Sequence, residues 1–490
     1  MITLETELKL DLDPSAVARL MCHPLLAGAL AKTEELDSVY FDTDRHALRK
    51  AGFSMRIRHI GDRRVQTIKA DQGTAAGLFV RPEWEREIDG DVPVLDGASG
   101  PLAKRIKPAI LDRIVPVFRT IVTRTTLTII VDGSKIELSL DRGEIVSTGG
   151  PRPLCEVELE LKTGHPAALF ALARQLDAAA PMRLGVLSKA ERGYHLVDRD
   201  RRGPVTSEPV LLARGMTVAT AFQAIAHSCI RQFRLNEMLL AENDNPFAVH
   251  HARVGLRRLV SAMSLFKEIV SDGTFGHLKQ EIRWIDAELG EARDIDVLID
   301  RIDDDNILDL LRDGRRKSYA RVAAAIGSMR LRRLMLHLGE WLLLGNWIVA
   351  PIDPALRDQS IGPFAADRLA HLSKGLRRRG ANLVRLDDRE RHKARIAAKN
   401  LRYAGEFFTS LYEGKRATRR RKTFLDALET LQDDLGDLND RVTAPSVFKR
   451  LGLDKLDVAN AATDFGPVKK LLGQAEEDYN ILSKAKRFWK

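Results

Sequence analysis

Cysteine is scarce: Cys22, Cys155 and Cys229 stand far apart in 490 residues, with no CxxC spacing. That excludes a disulfide scaffold and a cysteine zinc site, and points to a reducing compartment. Aromatic residues are only 6% of the chain and do not alternate with basic ones, which argues against a single-strand nucleic-acid platform that stacks bases on rings. Long apolar runs are missing as well. The most apolar stretch, LMLHLGEWLLLGNWIVAP at 334–351, is interrupted by His337, Glu340 and Asn346 and reads as a core helix, not a membrane span. The N-terminus has no basic head followed by an apolar core, so no signal peptide is expected. The expected location is cytoplasmic, with no membrane partner.

What is present divides the chain in two. A hydrophobic content of 44% over this length supports two or three cores. Net charge is −1 over residues 1–200 and +11 over 201–490, so the second part carries the attraction for an anion: nucleic acid, acidic lipid or a phosphate chain. Residues 1–200 are rich in alternating segments, among them FSMRIRHI, RVQTIKA, TLTIIVDGSKIELSLDRG and CEVELELKTG. Asp132-Gly133 between two alternating runs is a hairpin signal suited to a type I′ turn. The polar stretch DRDRRGPVTSEPV at 198–210 reads as a linker. Beyond it the period is helical almost throughout.

The first part keeps placing charge along strand faces. Glu5, Glu7 and Lys9 share a face, as do Arg56 and Arg58, then Thr67 and Lys69. Arg81, Glu83 and Glu85 follow, then Glu137 and Asp141, and last Glu156, Glu158 and Glu160. The opposite faces are largely apolar. One charged strand is commonplace; six with mixed signs suggest that polar faces converge inside a barrel. Fixed cations there hold phosphates, and clustered carboxylates need a cation between them. Oxygen-only ligands favour Mg²⁺ or Mn²⁺ over zinc.

ETELK at 5–9 resembles the ExExK signature of the CYTH superfamily, the triphosphate tunnel metalloenzymes. YFDT, MRIR, TIK, RPEWE, IELSLDRG, EVELELK and LSK follow in the family's order. The resemblance implies an α+β domain with an eight-stranded antiparallel β-tunnel over residues 1–200. It implies hydrolysis or binding of triphosphates with Mg²⁺ or Mn²⁺. Carried over, Glu5, Glu7, Glu156, Glu158 and Glu160 are metal candidates, and Glu5, Glu7, Lys9 and Glu158 are the catalytic set. Lys9, Arg56, Arg58, Lys69, Arg81, Arg124 and Lys189 would grip phosphates. Pro82 cannot donate a strand hydrogen bond and puts Arg81 at an edge or bulge.

The second part repeats itself. HHARVGLRRLVSAMSLF at 250–266 aligns with HKARIAAKNLRYAGEFF at 392–408, and LGEARDIDVL at 289–298 with LGDLNDRV at 435–442. His250, Arg253 and Arg257 fall on one helical stripe with Arg258 beside it; His392, Arg395, Lys399 and Arg402 fall on another. The acidic segments 291–305 and 433–440 are expected to take some of these cations but not all. HxxxH spacing is absent, which disfavours zinc. These repeats resemble the CHAD family, the conserved-histidine α-helical domain. That implies an all-α domain at 211–490 of two repeated four-helix bundles, about 211–350 and 355–490, whose basic groove binds inorganic polyphosphate. The combined expectation is a metal-dependent inorganic triphosphatase, docked on polyphosphate or its granules. The rivals are a non-catalytic polyphosphate-binding protein, or a hydrolase or cyclase of an organic triphosphate such as thiamine triphosphate or a nucleotide.

Overall fold

The computed structural model describes residues 2–70, 77–95, 102, 106–198, 203–452 and 468–489. They form two compact units, one of residues 1–203 with 328–344 and the other of residues 204–327 with 345–490.

The first unit is built on nine strands. They are β1 (Ile2–Leu12), β2 (Ala31–Asp42), β3 (Phe53–Ile60), β4 (Arg63–Ala70), β5 (Leu78–Ile88), β6 (Val115–Val131), β7 (Ser134–Ser147), β8 (Gly150–Thr163) and β9 (Met182–Leu184). The order is β5-β4-β3-β2-β6-β7-β8-β1-β9, with β5 also paired to β1, and the ladders are antiparallel. The β5–β1 pairing closes the expected ring of eight. Strand β9 is an addition: β5 covers one edge of β1 from Ile2 to Leu8, and β9 takes over that edge from Leu10 to Leu12. Three residues, MRL, carry too short a pattern to be read as a strand.

Closure buries both faces of β1. Leu8 and Leu10 are buried on the outer face, while Glu7 and Lys9, each 3% exposed, are buried on the inner one. The outer faces of β3 and β4 put Met55, Ile57 and Ile68 into one core with Ile106 and Leu111. Asp132 and Gly133 both have positive φ, at 47° and 73°, as a two-residue I′ turn between β6 and β7 requires. The β4–β5 ladder ends at Lys69↔Glu83, one residue before Pro82, while β1 stays paired alongside through Leu4↔Pro82 to Leu8↔Leu78. The missing amide of Pro82 therefore lies where one neighbour has stopped.

Numbering only helices of eight or more residues, α1 (Ala167–Ala179) buries Leu169, Leu172 and Leu176, and α2 (Lys189–Val197) starts at a Ser188/Glu191 capping box. The second unit runs α3 (Val218–Glu242), α4 (Pro246–Leu265), α5 (Phe275–Ile299) and α6 (Asp305–Gly327). Helix α7 (Met329–Leu344) belongs to the first unit. The second unit then resumes with α8 (Ile361–Gly380), α9 (Asp388–Phe407), α10 (Lys415–Arg450) and α11 (Val468–Lys484). Successive helices pack within each set of four, and α4 packs on α9. Those two are the helices of the repeated sequence, each of 20 residues.

Candidate active site in the tunnel and a second cationic site

Strand register stacks the inward side chains into rows. Glu7 of β1 faces Glu160 of β8, which faces Glu137 of β7; Lys9 faces Glu158, which faces Ser139; Asp11 faces Glu156, which faces Asp141. Across the ring Arg56 lies beside Tyr40 and Thr67, Arg58 beside Ser38, and Lys69 beside Glu83. The cavity inside the ring is about 440 Å³. It is lined mainly by charged and hydroxyl side chains from both walls, including Lys9, Arg56, Arg58, Arg124, Glu158 and Lys189.

One wall holds a carboxylate cluster. Oxygens of Asp141, Glu156 and Glu158 lie within 4.8 Å of one another. Lys189 Nζ sits among them, 2.6 Å from Asp141 and 2.9 Å from Glu158 and in contact with Glu156. Lys9 Nζ pairs with Glu158 and lies 3.3 Å from Glu7. Arg124 donates to Asp141 at 2.6 and 2.7 Å and to Glu158 at 2.6 Å. Burial alone would raise the two carboxyl pKa values, but the surrounding cations outweigh it. Lys189 and Arg124 bring Asp141 down to about 2, and Lys189, Lys9 and Arg124 hold Glu158 well below the carboxylate range. Burial would likewise discharge Lys9 and Lys189, yet the carboxylates raise both. Asp141 and Glu158 are thus ionised at neutral pH.

The facing wall has cations in excess. Arg58 has no carboxylate partner among the described residues; its Nε reaches Ser38 Oγ at 3.3 Å. Burial and then its neighbours Arg56 and Arg124 push its pKa down to about 9. Arg56 has a buried Nε without a hydrogen-bond partner. Burial pushes the Tyr40 hydroxyl up, but Arg56 and Arg58 outweigh it and leave it below its ordinary value. Guanidinium does not release its proton in the working pH range, so an anion is what relieves this wall.

Among the sequence candidates, Lys9, Arg56, Arg58, Lys69, Arg124, Glu158, Glu160 and Lys189 line this one cavity, and Glu156 borders it in the cluster. Glu160 stands apart from the cluster, 2.7 Å from Lys162 Nζ. Lys69 is 3.2 Å from Glu83. The side chains of Glu5 and Arg81 lie outside the described residues; their backbones pair with each other. Asp141, which shares the Glu137 face, is a ligand candidate that the sequence alone does not single out. Its signal is the register, which sets it opposite Glu156.

In the second unit α4 and α9 bring their stripes together. Lys399 is pushed down to about 8, first by burial and then by Arg257 and Arg395. Arg395 is lowered by burial, with Arg257 and Arg253 close enough to contribute. The acidic segments take part of the charge, with Asp294 3.9 Å from Arg253 and Asp296 and Asp437 paired with Arg315 and Arg301, and Asp286 of α5, outside them, lies 3.3 Å from Arg253. Arg257 and Lys399 have no ion pair among the described residues; Arg257 Nε donates only to the Arg253 carbonyl. Arg258 is buried, pairing with Glu406 of α9 and lying over the Phe407 ring, so it ties the helices together. Arg402 reaches Glu429 at 2.9 Å. The two histidines differ: burial and nearby Arg293 lower His250 to about 4, whereas exposed His392 bonds Asn439 at 2.9 Å.

Residues 3–194 match the family model of the CYTH domain, and residues 224–449 that of the CHAD domain. The inorganic triphosphatase of Haemophilus influenzae is 29% identical over 197 residues, 39% of this chain and 54% of that protein. The match therefore spans about half the length of the relative. The CHAD domain of the plant Ricinus communis is 32% identical, covering 58% of this chain and 98% of that one with a TM-score of 0.49. A Hippeastrum adenylyl cyclase candidate with a dominant triphosphatase activity is 23% identical, covering 41% and 98%, with a TM-score of 0.30.

Proposed function

We propose, from the premise that this chain joins a CYTH domain to a CHAD domain, that it is a metal-dependent inorganic triphosphatase whose helical domain binds inorganic polyphosphate. One observation carries the reading: Arg56 and a half-buried Arg58, the latter without a carboxylate partner among the described residues, face the Asp141–Glu156–Glu158 cluster across a single cavity.

The residues present fit a divalent cation. Asp141, Glu156 and Glu158 offer oxygen only, and Glu156 Oε2 is buried without a hydrogen-bond partner, which suits Mg²⁺ or Mn²⁺. A bound ion supplies charge neutralisation on the phosphates. The chain itself does the positioning. Arg56, Arg58 and Arg124 hold the phosphate oxygens, Lys9 and Lys189 balance charge at the cluster, and Glu7 and Glu158 orient water towards a terminal phosphorus. Attack breaks one phosphoanhydride bond and yields phosphate and pyrophosphate. Phosphoryl transfer asks for little beyond such alignment and neutralisation. Among the described residues, Tyr40 and Ala190 are the cavity-lining ones that are neither charged nor aliphatic alcohols, and Tyr40 is already stacked on Phe118 at 4.5 Å. Such a lining gives a nucleoside no apolar shelf and favours inorganic triphosphate.

Phosphate release from inorganic triphosphate with Mg²⁺ or Mn²⁺ tests this. The wild type should turn over and Glu158→Gln should fall by at least about a hundredfold. Turnover of nucleotides alone would transfer the assignment to an organic triphosphate. In the second unit, Arg257→Glu should weaken long-chain polyphosphate binding and flatten its salt dependence while leaving triphosphate turnover unchanged.

A further inference from the structure

Helix α7 lies in sequence between the two helical repeats, yet it belongs to the tunnel unit, packed on α1 and β9. Leu331, Leu334, Met335, Leu338, Trp341 and Leu342 of this helix are buried. Two ion pairs fasten it to α1. Arg174 donates to Glu340 at 2.5 Å, and Arg332 Nε donates to Asp177 Oδ1 at 2.5 Å. The pairs differ in exposure: Arg332 and Asp177 are 8% and 3% exposed, while both side chains of the other pair are more than a quarter exposed.

They differ also in what lies behind them. Asp177 Oδ1 accepts from the Met182 amide at 2.9 Å as well. Met182 begins β9, which runs along Leu10–Leu12 of β1. Three residues on, the Gly185 amide donates to the Lys9 carbonyl at 2.8 Å. Ser188 then caps α2, whose first residue is Lys189. A stretch of eight residues, 182–189, is therefore pinned at one end by Asp177. It braces the Lys9 backbone in its middle and delivers the Lys189 ammonium to the carboxylate cluster at its other end.

We propose that α7 is a positioning element of the tunnel site, and that Arg332 acts through Asp177 to set segment 182–189 and with it Lys9 and Lys189. The role in turnover rests on the triphosphatase reading above; the mechanical link does not. A salt bridge this buried, half of it a carboxylate already shared with a backbone amide, is costly to break from one side. Because the second contact of Asp177 is the first amide of β9, the disturbance passes along the strand.

The test uses the full-length chain and pits the two ion pairs against each other. Arg332→Met should speed amide hydrogen exchange in 182–189 by about tenfold or more and lower kcat by about tenfold or more with little change in KM. Arg174→Met removes a pair on the same two helices and should leave both readouts near wild type. Arg332→Lys should restore part of the protection. The double variant Arg332→Met/Asp177→Asn leaves no charge stranded, and should stay folded while 182–189 still exchanges fast. Unchanged protection of 182–189 in Arg332→Met and in the double variant, or equal loss in Arg174→Met, would overturn the proposal. A wild type that does not turn over triphosphate would sink the triphosphatase reading, while the exchange measurement would still decide this one.

Discussion

Arg58 sits in a place that favours function over stability. A half-buried guanidinium with a hydroxyl but, among the described residues, no carboxylate beside it carries a desolvation cost that the folded chain alone does not recover. Arg58→Met should therefore raise Tm by a few degrees, as removal of a functional strain commonly does, and raise KM for triphosphate about tenfold through the loss of a charge-assisted contact. Thermal melts and steady-state kinetics on one preparation check both halves; a variant that melts lower would mean the arginine is structurally satisfied. Lys399 gives a pH dependence of definite sign. With its pKa lowered to about 8, it is an ammonium below that pH and neutral above it, and only the ammonium attracts an anion. Polyphosphate affinity should accordingly fall as pH rises from about 7 to about 9, with proton uptake on binding near pH 8. Lys399→Arg should flatten the profile. Equal profiles for both chains would remove Lys399 from the groove.

Segments whose pattern repeats were legible in the sequence, and contacts set by tertiary register were not. The β6–β7 hairpin declares itself through Asp132-Gly133, and the histidine helices through their duplicated stripes, because both signals are local. The inward face of β1 follows from its company of charged strands, since closure alone makes a charged row and an apolar row equally buried. Asp141 and β9 escaped for the same reason: one gains meaning only opposite Glu156, and the other is three residues held by a partner strand. Arg258 shows the converse, a residue on the right stripe whose charge is spent on Glu406. Helix α2, which presents Lys189, makes its own prediction. A Cβ on Gly193 would fall 2.1 Å from the Phe118 ring, which is stacked on Tyr40. Gly193→Ala should cost about 1–3 kcal/mol by overpacking and reduce kcat by displacing Lys189. Denaturant melts set beside kcat decide it; a variant with full turnover would show that α2 does not have to sit this close.

Across the 490 residues the charge is lopsided, with the whole excess in the second part, and the described helices include none long and apolar enough to cross a membrane. The two units do not follow the linear split that composition suggests, because residues 328–344 return to the first. A chain ending at residue 203 would lack α7 and leave Asp177 without Arg332. It should melt lower, and aggregate more readily, than the same chain with 328–344 joined to it through a flexible linker. Equal melting temperatures would show that the tunnel unit completes itself. The return of α7 also sets a schedule. At roughly 5–20 residues per second of synthesis, the 124 residues from 204 to 327 take on the order of ten seconds to emerge. Through that interval the nascent tunnel waits on the ribosome with a buried face still open, and the first helical repeat must appear before the tunnel unit can be finished.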